Sequence, residues 1–170
     1  MILALDIAVA KPIAYSLWKD GKLLAYGKLD EKHLVNVLRR SKTKLLVVYE
    51  SAYVVGSQRR KTKRGMDVKT FARFAKLVGV IEFLAEEAGH QVMEVSAQEW
   101  QMKVLPIKPF TRREERALWA QTVAKGIIKE HLDKEEEVDV DVSCAICLGQ
   151  YVSSREEFKE RLQEVEDEHQ

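Results

Sequence analysis

The sequence predicts an α/β fold: a mixed central sheet that opens with an antiparallel meander and is flanked by helices. Three observations carry this reading. Asp20-Gly21 separates two apolar runs, and Asp-Gly in that setting is a strong hairpin signal. The apolar run 45–49 follows a stretch that reads as a short helix, and a helix between strands of one sheet usually means parallel pairing. Further along, helical apolar spacing alternates with one more short strand.

Residues 1–8 read as a strand buried on both faces, 13–18 as a second strand and 23–29 as a third, which together form the meander. Asp30 is placed to cap a helix over 31–40 that delivers the chain to strand 45–49. A loop over 51–66 contains Gly56, Gly65 and a basic cluster. Asp67 is placed to cap a helix over 68–88, in which Phe71, Phe74, Ala75, Val78, Ile81, Leu84, Ala85 and Ala88 recur at helical spacing, and Gly89 stops it. A strand over 91–95 follows, then a helix over 96–105 ended by Pro106 and Pro109. Thr111-Arg-Arg-Glu114 is a capping-box pattern opening a helix to about His131. An acidic linker over 133–139 leads to a helix over about 142–152, and Ser154-Arg-Glu-Glu157 opens a last one with Phe158, Leu162 and Val165 on one face. The expected organisation is one domain over 1–152 and a C-terminal helical extension over 153–170.

At 170 residues and 46% hydrophobic, the chain suits one globular domain with a full core. No apolar run approaches the roughly 20 residues that span a bilayer, so no membrane partner is expected. The chain starts on a strand rather than on a basic segment with a cleavage site, so no signal peptide is expected. Cys144 and Cys147 have no second Cys or His pair at zinc spacing, which argues against a zinc site or a disulfide framework and for a cytoplasmic setting. The net charge of +1 hides an asymmetry: 1–113 carry 21 Lys/Arg against 11 Asp/Glu, and 114–170 carry 7 against 16. Arg59, Arg60, Lys61, Lys63 and Arg64 crowd the loop after the second apolar strand and point to a polyanionic partner, although such a run is also compatible with a solvated loop.

Three carboxylates stand at the ends of apolar segments: Asp6 closes the first strand, Glu50 closes strand 45–49, and Asp141 opens the helix after the acidic linker. A buried carboxylate is costly unless something positive sits beside it. Acids converging from two strands and a late helix therefore suggest a site for hard divalent cations, which prefer oxygen ligands. Each acid taken alone is also explained as an ordinary strand terminus or helix cap.

A meander, a helix, a central strand, then alternating helix and strand is the ribonuclease H-like order. The chain resembles the RuvC-type Holliday junction resolvases over roughly residues 1–152, a phage or archaeal relative being one candidate setting. The carriers are Asp6, Val47-Val-Tyr-Glu50, the helix end Gly79-Val-Ile-Glu-Phe-Leu-Ala-Glu-Glu-Ala-Gly-His90, the following Val92-Met-Glu-Val-Ser-Ala-Gln-Glu-Trp100, and Asp141-Val-Ser-Cys-Ala-Ile-Cys-Leu-Gly149. The resemblance implies a crossover junction endodeoxyribonuclease of DNA recombination and repair. It implies two-metal-ion phosphodiester hydrolysis with Mg2+, Mn2+ serving as substitute. Its four acid positions fall on Asp6, Glu50, Asp141 and position 144, and the last is Cys144 here.

Cysteine is a poor magnesium ligand, because thiolates favour soft metals. Three accounts stay open. An acid was replaced to inactivate the enzyme, which is slightly favoured; the protein is by nature a weakly catalytic junction binder; or Asp139 supplies the carboxylate, since Asp139 and Asp141 face one side if 138–141 are extended. Cys144 is also explained as a small buried hydrophobe. After Asp6 the chain lacks the usual glycine and hydroxyl residue and offers Lys11 as a phosphate contact.

The resemblance further implies branched DNA, a four-way junction, as partner. Tyr53 is the best positional match to an aromatic wedge, and Arg59, Arg60, Lys61, Lys63 and Arg64 would contact phosphate. Lys103 and Arg112 or Arg113 fall where basic residues flank the scissile phosphate. A two-fold dimer suits a junction with two equivalent strands. Helix 68–88 is the implied dimer element, with Phe71 and Phe74 as interface candidates. The alternatives are a non-catalytic junction-binding protein and a ribonuclease H-like nuclease that processes RNA.

Overall fold

The structure is a computed structural model that describes residues 1–9, 11–51 and 68–155. The expected cap at Asp67, the loop residues Tyr53, Arg59, Arg60, Lys61, Lys63 and Arg64, and the last helix with Phe158, Leu162 and Val165 lie outside the described residues.

The meander consists of β1 (Ile2–Asp6), β2 (Ile13–Lys19) and β3 (Lys22–Leu29), paired antiparallel in sequence order. Asp20 and Gly21 both take positive φ, 50° and 75°, the backbone that a two-residue hairpin matching strand twist requires. A bulge between Leu17 and Trp18 shifts the β2–β3 register by one residue. That shift turns Lys28 onto the face of Ala14, its partner, which in turn pairs with Asp6.

Helix α1 (Glu31–Arg40) starts where expected, with the Asp30 carboxylate accepting from the His33 N–H at 2.7 Å. The chain then enters β4 (Leu46–Glu50), which pairs parallel with β1. Helix α2 (Val68–Glu87) ends before Gly89, whose φ of 72° reverses the chain into β5 (Gln91–Val95), parallel to β4. The sheet order is β3-β2-β1-β4-β5. This is the mixed sheet with an N-terminal meander that the sequence predicts.

Helices α3 (Ala97–Val104), α4 (Arg113–Leu132) and α5 (Val140–Ser153) complete the domain. One core lies between the sheet and α3, α4 and α5, and includes Ala4, Trp18, Val48, Trp100, Ile128 and Ile146. The other lies between the sheet and α1 and α2, and includes Leu3, Leu5, Leu34, Leu38, Val47, Phe74 and Ile81. Helix α5 is apolar nearly all round because it is covered on nearly all sides.

Three expectations need correction. Thr111 does not cap α4: its hydroxyl donates to the Lys108 carbonyl at 2.7 Å and accepts the Lys108 N–H, closing the preceding turn, and Arg112 takes the cap position without a side-chain bond. Residues 138–141 are not extended as a unit, because α5 starts at Val140 and Asp139 is its N-cap. Phe74 is 7% exposed and belongs to the α2-side core, so it is not a surface for a second copy. The exposed large apolar residues of α2, among those described, are instead Val80 and Phe83. No described helix is long and apolar enough to cross a membrane.

Candidate active site at the carboxyl ends of the central strands

Asp6 and Glu50 are the last residues of adjacent parallel strands. The register pairs Ala4 with Val48 and Leu5 with Tyr49, so the next pair in line is Asp6 with Glu50. Alternation along a strand turns both toward the face of Ala4 and Val48, beneath α5. The first turn of α5 brings in Asp141, and Cys144 follows one turn later on the same side.

The electrostatics register the convergence. Burial raises the Asp6 carboxyl from 3.8 to about 7, with Glu50, Asp141 and Asp139 adding to the rise and Lys11 opposing it. Burial likewise pushes the Cys144 thiol up, and the negative charges of Asp6, Glu50 and Asp141 push it further, so it stays protonated. Glu50 is also raised by burial, against the lowering effects of a hydrogen bond from Trp100 and the charge of Arg116. Asp6 and Cys144 thus each feel the charges of both Glu50 and Asp141.

Each side chain has a holder. The fully buried Trp100 donates from Nε1 to Glu50 Oε2 at 2.7 Å, fixing that carboxylate from α3. Arg116, in the first turn of α4, donates from Nη1 to Gln101 Oε1 at 3.1 Å, and its buried Nε has no hydrogen-bond partner. Helix α5 is pinned to the sheet by Ser16, whose hydroxyl donates to the Ala145 carbonyl at 2.6 Å and accepts from Trp18 Nε1 at 2.9 Å. Gly149 permits this approach, since a Cβ there would lie 2.0 Å from Trp18 Nε1 and 2.7 Å from Ser16 Oγ. Tyr151, near the other end of α5, donates its hydroxyl to Glu99 on α3.

Lys28 reaches the site from β3. Its ammonium lies 3.0 Å from Asp139 Oδ2 and 3.6 Å from Asp141 Oδ2, and Lys11 approaches the same Asp141 oxygen at 3.9 Å. Asp139 Oδ1 accepts the Val142 N–H at 3.1 Å as the cap of α5. Burial alone would raise the Asp139 carboxyl, but Lys28 and the cap hydrogen bonds outweigh it and hold it below its ordinary value.

Asp6, Glu50 and Asp141 are hard oxygen donors of the type that suits magnesium, and a cation between them would offset the burial and the neighbouring negative charge that raise Asp6. Cys144 does not fit that ion. Asp139 has both oxygens committed, one to the α5 cap and one to Lys28. Among the described residues, no three His, Cys, Asp or Glu side chains stand close enough together to hold a metal ion as they are oriented. The orientations have visible causes: Trp100 holds Glu50, and Lys28 and Lys11 draw on Asp141.

The remaining expected basic residues among those described are all exposed. Lys11 is exposed beside Asp141. Lys103 is exposed at the end of α3, and Arg112 and Arg113 are exposed at the start of α4. Three neighbours of the acids are not legible from the sequence: Lys28, Trp100 and Arg116. The one available signal for Arg116 is a positive residue in the opening turn of a helix, as for Arg112 and Arg113, because it opposes the helix dipole. Both cysteines are free, and Cys147, whose thiol burial pushes up to about 12, packs in the core.

No family model matches the chain, and no curated protein matches it in sequence. Among solved structures it is similar to T. thermophilus RuvC in complex with a Holliday junction substrate, with a TM-score of 0.58 and 15% identity over 95% of each chain. It is also similar to a second Thermus thermophilus RuvC structure, with a TM-score of 0.55 and 12% identity, covering 95% of this chain and 96% of that one. At such identity the likeness is one of fold, and the fold is ribonuclease H-like, with a mixed five-stranded sheet flanked by helices.

Proposed function

We propose that this chain is built as a structure-selective endonuclease for four-way DNA junctions, acting by metal-dependent phosphodiester hydrolysis, with cleavage suppressed here by Cys144 at an acid position. The observation that carries the reading is the convergence of Asp6, Glu50, Asp141 and Cys144 at the carboxyl ends of β1 and β4. It occurs in a fold shared with a protein solved on a Holliday junction substrate. Asp6, Glu50 and Asp141 would hold Mg2+, or Mn2+ in its place. That ion supplies, when bound, an activated water and stabilisation of the leaving oxygen.

The chain's own residues prepare the site. Trp100 fixes Glu50, and the Ser16–Ala145 bond with Gly149 sets the height of α5 and so of Asp141 above the sheet. Asp6 carries a proton up to near neutral pH and must lose it before serving as an oxygen ligand. In this reading Lys11, beside Asp141, and the exposed Lys103, Arg112 and Arg113 would supply positive charge for the phosphates on either side of the cut. Tyr53, Arg59, Arg60, Lys61, Lys63 and Arg64 are the further DNA contacts of this reading. A homodimer through α2 would present two such sites, with Val80 and Phe83 as its exposed apolar residues.

A second reading has one specific observation behind it. Cys144 sits among the acids with a thiol held protonated, which favours a junction-binding protein without nuclease activity. Binding selectivity tests the shared part of both readings. In EDTA the chain should bind a four-way junction more tightly than linear duplex DNA or an RNA–DNA hybrid of equal length. Equal affinity for all three would reject junction recognition, and preference for the hybrid would favour an RNA-processing nuclease.

A further inference from the structure

The loop between α3 and α4, residues 105–112, carries a feature that the acid site does not use. Phe110 is fully exposed, with a relative accessibility of 102%, and its φ is 70°. Bulky side chains rarely adopt that left-handed backbone, and a solvent-facing phenyl ring gains nothing from burial in return. The turn is nonetheless well fixed. Thr111 bonds the Lys108 carbonyl and N–H together, and Ile107 N–H donates to the Leu105 carbonyl at 2.8 Å. Pro106 and Pro109 restrict the chain on both sides of Lys108.

The surroundings are cationic. Lys103, Lys108, Arg112 and Arg113 are all exposed, and none of them is in an ion pair among the described residues. Glu114 and Glu115 follow, in the first turn of α4, where they favour the helix dipole. The loop joins α3, whose Trp100 bonds Glu50 at 2.7 Å, to α4, whose first turn carries Arg116 and its charge acting on the same Glu50. Arg116 lies six positions after Phe110, which limits the distance between their backbones to about 20 Å.

We infer that Phe110 is a stacking platform for an unpaired or splayed nucleobase near the cut strand, with the four cations holding the flanking phosphates. An exposed aromatic ring set among unpaired cations matches a nucleic-acid strand better than it matches a protein surface, because each base offers a π face and each linkage a negative charge. The inference rests on the nucleic-acid reading above and adds to it which part of the DNA is engaged and by what.

The test is a binding titration of wild type, Phe110→Ala and Phe110→Trp on a four-way junction, repeated with an abasic residue moved stepwise along the strands near the crossover. Phe110→Ala should raise Kd about tenfold, within the range of one base–aromatic stack, with an unchanged salt slope because every phosphate keeps its cation. Phe110→Trp should keep wild-type affinity. One abasic position should cost wild type the same factor and cost Phe110→Ala nothing. The ring lies outside the core, so its truncation does not put folding at stake. Equal Kd for Phe110→Ala and wild type on every junction would overturn the stacking role and leave junction binding standing. A wild-type chain that binds no junction would overturn the functional reading itself.

Discussion

Replacing Asp6 with Asn should stabilise the metal-free protein at pH 8. Burial, reinforced by Glu50 and Asp141, raises the Asp6 carboxyl from 3.8 to about 7, so the folded state resists its ionisation more than the unfolded state does. A group raised on folding contributes stability that is fully present below pH 3.8 and is lost as pH climbs through 7. The wild type at pH 8 has therefore lost up to about 4 kcal/mol that Asp6→Asn, permanently neutral, retains. Urea unfolding in EDTA, read at pH 8 and again near pH 4, measures this directly. The variant should be the more stable at pH 8, and the difference should shrink toward zero near pH 4. Mg2+ should close most of the gap at pH 8 by stabilising the wild type, by about 2.7 kcal/mol at a hundredfold excess over Kd, and not the variant. A variant less stable than wild type in EDTA at pH 8, or a gain equal at both pH values, would refute the raised carboxyl of Asp6 and with it the buried, acid-rich setting that causes it.

Gly149→Ala should cost about 1–3 kcal/mol of unfolding free energy in urea titrations and lower junction affinity in Mg2+, because its Cβ would displace Trp18 and Ser16 and lift α5. Gly126→Ala, in the interior of α4 with nothing within 4 Å, should stabilise by about 0.5–1 kcal/mol and serves as the matched control. Trp100→Phe removes the donor to Glu50 and should raise the Glu50 carboxyl further, as followed by carboxyl-carbon NMR; it should destabilise the fold by about 2 kcal/mol at pH 8. Combined replacement of Arg59, Arg60 and Lys61 by Ala should flatten the salt dependence of junction binding by about 0.9 log units for each phosphate left without its cation, and an unchanged slope would remove that loop from the interface.

What the sequence makes legible here is local. The Asp20-Gly21 turn, the Asp30 cap and the Gly89 stop each act through their own backbone, and each stands where its residues put it. Asp6 and Glu50 are readable as candidate site residues because two acids close apolar strands and a third opens a late helix. Lys28 is not readable, for a physical reason. Counted outward from the hairpin turn without a bulge, Lys28 would oppose Ile13 and face the α1 and α2 side; the bulge at Leu17/Trp18 moves it opposite Ala14 and onto the acids. Trp100 is a similar case, since its apolar helical setting explains burial and nothing in its neighbours announces a partner 50 residues away. Asp139 is ambiguous because the pattern Val138-Asp-Val-Asp141 suits a strand as well as a helix start, and the cap decides it. Phe74 illustrates the limit of a helical stripe, which gives an apolar face without saying whether sheet or second copy covers it.

The central claim is that Asp6, Glu50 and Asp141 form an incomplete metal-dependent nuclease site in which Cys144 stands where a fourth acid belongs. Cleavage of a labelled four-way junction in Mg2+ by the unaltered chain and by Cys144→Asp tests it most directly. The account predicts paired, symmetric cuts by Cys144→Asp, little or no cutting by the unaltered chain, and nearly equal binding by both in EDTA. A Cys144→Asp protein that binds the junction and leaves it uncut in Mg2+ and in Mn2+ would contradict it.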